Sequence, residues 1–404
     1  MRLRLPSWMG QEEQPVAGFI LKARSLTMKV AFGELGGDEV RRSRRESTTR
    51  EGQSVAKDSA LRGYLLEESL AWLLRFSGYR LLVHEDQDPV ELVTQGDTLR
   101  VRGRGALHQV DALGEFAFTP AFSMPVRLFL EAKFYKERCG LEIVRNAHGV
   151  LHDVNENFMT HAGTRPRQRY QYSYALFSAN GFTADAQKYA LAHQISLVDL
   201  SGASFAWLLG AIGTTAWTLH EAQKYQDPSD TFPMTWLRTE LRKALETSPA
   251  QLLPTVTVPE GKFKQAASAA IADFVTVLRQ HSDAELLLGF PAAPFILPLA
   301  AADQQAFVEY ADAMPDHAVR IRRRGSGSSA EWTLSPLSAE GAYELAFKLP
   351  EHVEDWISGI AEKERRRTVE VKEQFLSAIT IYRVNGGGVR AYQLRYEASF
   401  LSRA

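Results

Sequence analysis

The stretch "LFLEAKFYKERC", residues 128–139, restricts the fold of this chain more than any other. Its first half is an apolar run of strand formers. A strand alternates its side chains with a period of two, so Glu131 and Lys133 share one face while Leu128, Leu130, Ala132 and Phe134 share the other. An acid and a base side by side in so apolar a strand raise the question of what they serve.

The neighbouring segments supply a frame for that strand. "LRGYLLEESLAWLLRFSGY" reads as a helix stopped near Gly78. "YRLLVHE" (79–85) reads as a strand, followed by a loop with turn residues Asp88-Pro89 and Gly96-Asp97. "LHQVDALGEF" (107–116) and "VRLFLEAKFYK" (126–136) are expected as two further strands. Residues 141–158 repeat apolar side chains at helical spacing. A strand (172–182), a helix opened by Thr183 as N-cap, and a short strand (195–200) follow. The order αβββαβαβ predicts an α/β domain over about residues 60–220, with a mixed sheet covered on both sides.

Past the polar junction at 220–233, two helices (234–247 and 262–281) and two glycine-turn hairpins predict a C-terminal α+β domain over 234–404. Its role is expected to be target recognition, partner binding or dimerisation. Residues 1–59 are poorly patterned, and the charged stretch 41–59 favours a partly disordered basic arm. With 47 Lys and Arg against 48 Asp and Glu, an anionic partner must be held by a local patch and not by the overall field. The single cysteine, Cys139, excludes an intrachain disulfide and fits a reducing compartment. The start has no apolar core with a small-residue cleavage site, and the most apolar stretch (286–302) contains three prolines. A cytoplasmic protein with no membrane association is expected.

In "HQVDALGEF", Gln109, Asp111, Leu113 and Glu115 share one face, so Asp111 comes beside Glu131 if the two strands pair. Two adjacent carboxylates raise one another's pKa, a conflict that a divalent cation removes, and hard oxygen ligands favour Mg²⁺. Lys133 then places a fixed positive charge next to the metal, where it can orient water or stabilise charge on a phosphate. On the first helix, Gly63, Glu67, Leu70, Ala71 and Leu74 form one stripe, which sets Glu67 towards the sheet. Glu68 groups with Trp72 and Arg75 on a face expected to look outward.

A helix with an inward Glu, a strand Asp, and Glu-X-Lys on the next strand resembles the PD-(D/E)XK nuclease superfamily. The segments "GYLLEESLAWLLRFSGY", "HQVDALGEF", "LFLEAKFYK" and "YSYALFSANGFTADAQKYALAHQISLVDL" are most similar to the Mrr-like restriction endonuclease catalytic domain, over about residues 60–200. The resemblance implies a restriction-endonuclease-like mixed sheet flanked by helices. It implies Asp111, Glu131 and the backbone carbonyl of Ala132 as Mg²⁺ ligands, with Mn²⁺ able to substitute. Lys133 is then the residue that activates or positions water, and Glu67 the accessory acid. Val110 stands where the motif's proline is usual, and Glu131 where many Mrr-like domains carry Gln. The implied activity is metal-dependent hydrolysis of double-stranded DNA in restriction or anti-phage defence. A repair or junction-resolving nuclease, and a nuclease-fold sensor subunit with little cleavage of its own, are the alternatives. Double-strand cleavage calls for two sites, supplied by a homodimer or a partner defence subunit.

For DNA contacts the sequence offers Lys136, Arg138 and Arg145, and Arg165, Arg167 and Arg169 in "RPRQRYQY", with Tyr170 or Tyr172 packing on sugar or base. "VRIRRR" (319–324) is a further candidate, whereas "EKERRR" (362–367) reads as a solvated helix face. His148 and His152 have a spacing that can bind zinc but also suits the polar face of a helix. His108 is expected to point away from Asp111, and Cys139 has no CxxC partner. The chain contains no phosphate-binding G-x-x-x-x-G-K-[ST] loop.

Overall fold

Helix α1 (Asp58–Leu74) is apolar around most of its circumference because it is covered on both sides. One side lies on a five-stranded sheet and the other on the helix Ala206–Ala222, and Leu61, Leu65, Leu66 and Leu70 are fully buried between them. The computed structural model describes residues 58–96, 98–119, 122–157, 168–202, 205–227, 230–281, 287–293, 295–325, 330–385 and 388–396. Nearly all of the expected N-terminal arm therefore lies outside the described residues, as do Arg165 and Arg167.

After α1 come β1 (Tyr79–Leu82), β2 (Leu92–Gln95), β3 (Thr98–Arg102), β4 (Leu107–Gln109), β5 (Ala112–Phe116) and β6 (Val126–Lys133). Then follow α2 (Leu141–Asn155), β7 (Gln171–Ser178), α3 (Ala184–Ala192) and β8 (Ser196–Asp199). The sheet runs β1-β5-β6-β7-β8, antiparallel across its first two pairings and parallel across the last two. The expected loop after residue 85 instead contributes β2 and β3, which pair with β4 as a separate three-stranded sheet. The expected strand 107–116 is accordingly broken. Val110 donates its N–H to Leu99 of the small sheet, and β5 begins afresh two residues later.

Gly114 explains how closely α1 approaches the sheet. A Cβ there would stand 2.7 Å from Leu74 and 2.9 Å from Tyr79, so only glycine fits. Gly78 turns the chain from α1 into β1 at φ +83°, a left-handed conformation that favours glycine.

Two further helices cover α1, α4 (Ala206–Ala222) and α5 (Met234–Leu245), and α6 (Lys262–Gln280) packs on both of them. Their apolar faces, through Leu208, Ile212, Leu237, Leu241, Ile271 and Phe274, join those of α1 and the sheet in one cluster. The apolar core thus runs across the junction at 220–233. A second cluster fills the other face of the sheet under α2 and α3, through Leu113, Phe129, Val144, Tyr174 and Ala186.

The remainder contains β9 (Leu287–Pro291), β10 (Leu297–Ala301), α7 (Gln304–Ala313), β11 (Asp316–Arg324), β12 (Glu331–Pro336), β13 (Leu345–Phe347), α8 (Glu351–Ser358), α9 (Glu364–Gln374), β14 (Ala378–Asn385) and β15 (Gly388–Tyr396). The two expected hairpins are β11–β12 and β14–β15. A parallel pairing of β11 with β15 links them, and the strands close into a barrel ordered β10-β13-β12-β11-β15-β14-β9. Closure leaves no sheet edge exposed. Trp332, Leu334, Leu345, Ile379 and Leu394 fill its interior. The molecule is of mixed α/β class. No helix among the described residues is long and apolar enough to cross a membrane.

Candidate active site

Asp111 sits where β4 has left one sheet and β5 has not yet begun in the other. The ladder of β5 and β6 ends at Ala112 opposite Leu130, so the next N–H facing β5 along β6, that of Ala132, lacks a strand partner. The Asp111 side chain supplies one, its Oδ2 accepting from the Ala132 N–H at 2.8 Å. The N–H and C=O of one strand residue point to the same side, so the Ala132 carbonyl also faces Asp111.

Glu131 and Lys133 share a face of β6, as the alternation requires, and form an ion pair. The other carboxylate oxygen of Glu131 accepts from the Tyr174 hydroxyl. Tyr174 comes from β7, where it pairs with Phe129 and stacks on it at 4.8 Å with the rings 14° apart. Tyr174 is 2% exposed, so its hydroxyl must find a partner inside the protein.

Glu67 approaches from α1, and its carboxylate meets Arg238 of α5, with Nη2 3.1 Å from Oε2. Arg238 is itself buried, stacks its guanidinium over Tyr64 at 4.4 Å, and lies 3.3 Å from Glu68 Oε1 through Nε. Glu68 is 3% exposed and also receives Arg242 at 3.0 Å. The outward orientation expected of Glu68 is therefore wrong, because α5 covers the face of α1 that the sequence pattern leaves to solvent. Of the two acids, Glu68 is the one sealed in by arginines, and Glu67 stays partly open.

Electrostatics tie these groups into one unit. Burial, then Asp111, push the Glu67 carboxyl up to about 8, with Arg238 and Lys133 opposing, so Glu67 keeps its proton at neutral pH. Burial also raises the Asp111 carboxyl, aided by Glu131 and opposed by the Ala132 N–H, Lys133 and Arg238. For Lys133, burial works against the charged form, but Glu131 and then Asp111 outweigh it and hold the ammonium above its usual range. Four residues from α1, the β4–β5 break and β6 thus sense one another at one end of the sheet.

Glu67, Asp111, Gln109, Thr98, Arg238 and Arg242 line a cleft with about 40 Å³ of room, enough for two or three waters. Among the described residues, no three His, Cys, Asp or Glu side chains are arranged to hold a metal ion. Glu131 is engaged by Lys133 and Tyr174, and Glu67 by Arg238.

The expected DNA contacts fare unevenly. Lys136 and Arg169 are exposed, and Arg145 is exposed with its guanidinium 5.7 Å from the Tyr189 ring. Arg138 pairs with Glu351 of α8. Tyr172 is 4% exposed and bonded to Arg127, so its ring is not placed for a base, and the Arg127 guanidinium covers one face of the half-buried Tyr170 at 3.4 Å. The "VRIRRR" stretch is neutralised: Arg320 and Arg322 share Glu340, and Arg323 is buried against Glu354 and Glu364. His148 stacks on His193 at 4.1 Å and bonds the Tyr189 hydroxyl at 3.0 Å. His108 bonds Asp153 at 2.7 Å, away from Asp111.

Tyr174, Arg238 and Arg242 were missed by sequence reasoning. Tyr174 sits in an ordinary alternating strand. The two arginines lie four apart on an amphipathic helix more than 160 residues from Glu67, with no local signal of their destination.

No family model matches this chain, and no curated protein does. A solved structure, the crystal structure of a protein of unknown function, AF1548, aligns over 54% of this chain and 98% of its own at 16% identity. Its TM-score is 0.29, which supports no assignment of fold.

Proposed function

We propose that this chain is a metal-dependent DNA endonuclease with a restriction-endonuclease-like, PD-(D/E)XK catalytic unit of Mrr-like type. The observation that carries the reading is the convergence of Glu67, Asp111, Glu131 and Lys133 into one electrostatically linked group at the end of the sheet. A structural ion pair accounts for Glu131 and Lys133 alone. It gives no reason for two further carboxyls to be held beside them at raised pKa.

The donor set fits a hard divalent cation. Asp111, Glu131 and the Ala132 carbonyl would hold Mg²⁺, whose charge would offset the burial that raises the Asp111 carboxyl and the smaller repulsion from Glu131. When bound, the ion would polarise a phosphodiester oxygen and acidify water. The protein's own groups do the rest. Lys133 offers an ammonium to the phosphate or the attacking water, and Tyr174 holds the Glu131 carboxylate in place. Glu67, protonated near neutrality, holds a proton at the rim of the cleft. Hydrolysis adds water across a P–O bond, and the leaving oxygen takes up a proton. Restriction or anti-phage defence is the biological setting we infer, by analogy with the resemblance alone.

A second reading is favoured by the engagement of Glu131 with both Lys133 and Tyr174: a DNA-binding sensor that keeps this fold and cleaves little. Supercoiled plasmid incubated with the purified full chain and Mg²⁺ separates the two. Nicking that disappears in Lys133→Ala and Asp111→Ala supports hydrolysis. Retained DNA with no nicking under Mg²⁺ or Mn²⁺ supports the sensor.

A further inference from the structure

We infer that the solvent face of the β2–β3–β4 sheet grips a nucleic-acid backbone beside the acidic cleft, through Arg100 and Arg102. The register defines that face. Leu92, Val101 and His108 stand opposite one another on the side that packs into the core, whereas Val93, Arg100 and Gln109 stand opposite one another on the other. Gln95 with Thr98, and Arg102 with Leu107, extend the outer face. Two of its members, Thr98 and Gln109, line the same cleft as Glu67 and Asp111. Arg100 is the cross-strand partner of Gln109, which precedes Asp111 by two residues, so the outer face of the small sheet continues directly into the segment that carries Asp111.

The pairing of charges leaves these two available, as it does Arg145 and Arg365 elsewhere on the surface, and only Arg100 and Arg102 adjoin strand residues that line the acidic cleft. Most arginines described in this chain are neutralised internally, including Arg127, Arg238, Arg242, Arg320, Arg322, Arg323 and Arg390. Arg100 and Arg102 have no acidic partner among the described residues, and Arg100 Nε makes no hydrogen bond there. A solvent face needs polar side chains, but that need does not select two neighbouring arginines left without acids. Guanidinium forks suit phosphate, and a chain of net charge −1 must concentrate its affinity in such a patch. Leu107, 41% exposed and opposite Arg102, offers an apolar surface to sugar.

The inference rests on the hydrolytic reading only for the path of the backbone over Asp111, so its test uses binding without metal. A fluorescein-labelled duplex oligonucleotide is titrated with the full chain in EDTA, by anisotropy, over a range of salt. Arg100→Gln and Arg102→Gln should each lower the slope of log affinity against log salt by about 0.9, weakening binding about eightfold in about 0.1 M salt. Circular dichroism melts verify folding, and the more exposed Arg102 suffices if Arg100→Gln unfolds. Unchanged slope and affinity in the folded variants overturn the inference, as does failure of the wild-type chain to bind duplex in about 50 mM salt. The hydrolytic reading fails separately, as plasmid left intact in Mg²⁺. Duplex still held through Arg100 and Arg102 in that case upholds the grip.

Discussion

Arg238 Nη2 stands 3.1 Å from Glu67 Oε2 across 171 residues of sequence. The same guanidinium serves Glu68, so one buried cation steadies two neighbouring acids of α1. Arg238→Met should destabilise the protein by about 2–4 kcal/mol, because the buried Glu68 carboxylate keeps only Arg242 and the buried Glu67 carboxyl loses its hydrogen-bond donor. Arg238→Lys should recover only part, since one ammonium does not reproduce two guanidinium contacts. Urea unfolding in EDTA measures both.

Glu67 gives the acid cleft a pH signature. Its carboxyl titrates near 4.5 when unfolded and about 8 when folded, so between these values the native state binds the extra proton. Stability from this group is fully present below about pH 4.5 and falls as pH rises through 8. Glu67→Gln removes that loss. Relative to wild type, the variant should gain on the order of 1 kcal/mol or more between pH 5 and pH 8, read from thermal melts in EDTA. A difference that does not change with pH would contradict the shift.

Glu131→Gln should lower plasmid cleavage by about a hundredfold or more while leaving duplex affinity in EDTA within about twofold. Kinetics beside anisotropy test it, and loss of binding would remove Glu131 from its assigned role.

Asp111→Asn should impair cleavage more than Glu67→Gln, since Asp111 is bonded directly to the strand that carries Glu131 and Lys133. The reverse ranking, in parallel assays with Mg²⁺, would make the helix acid a primary ligand.

Tyr174→Phe keeps the stack on Phe129 and removes only the hydroxyl that orients Glu131. Stability should change by about 1 kcal/mol, while cleavage falls about tenfold through the freed carboxylate. Equal cleavage by both proteins would reduce Tyr174 to a packing residue.

How much of this was legible in the sequence follows the range of the interactions. Glu131 and Lys133 could be placed on one face because strand alternation is local, and α1, α2 and α3 because helical spacing is. Asp111 could be set beside Glu131 from a single pairing of adjacent strands. The orientation of Glu68 was misread because its environment is made by α5, whose approach no pattern within 58–74 reveals. The small sheet was hidden by short strands: β4 has three residues, too few for alternation to show. Barrel closure depends on β11 meeting β15 in parallel, a long-range contact that hairpin turns do not encode.

The salt link between α1 and α5 also sets an order of assembly on the ribosome. At elongation rates of about 5–20 residues per second, Arg238 is added roughly 10 to 35 s after Glu67, so the nascent acid helix is made well before its counter-charge. The acidic cleft stays incomplete until most of the helical layer has been synthesised, so the hydrolysis proposed for it would be withheld from a half-made chain.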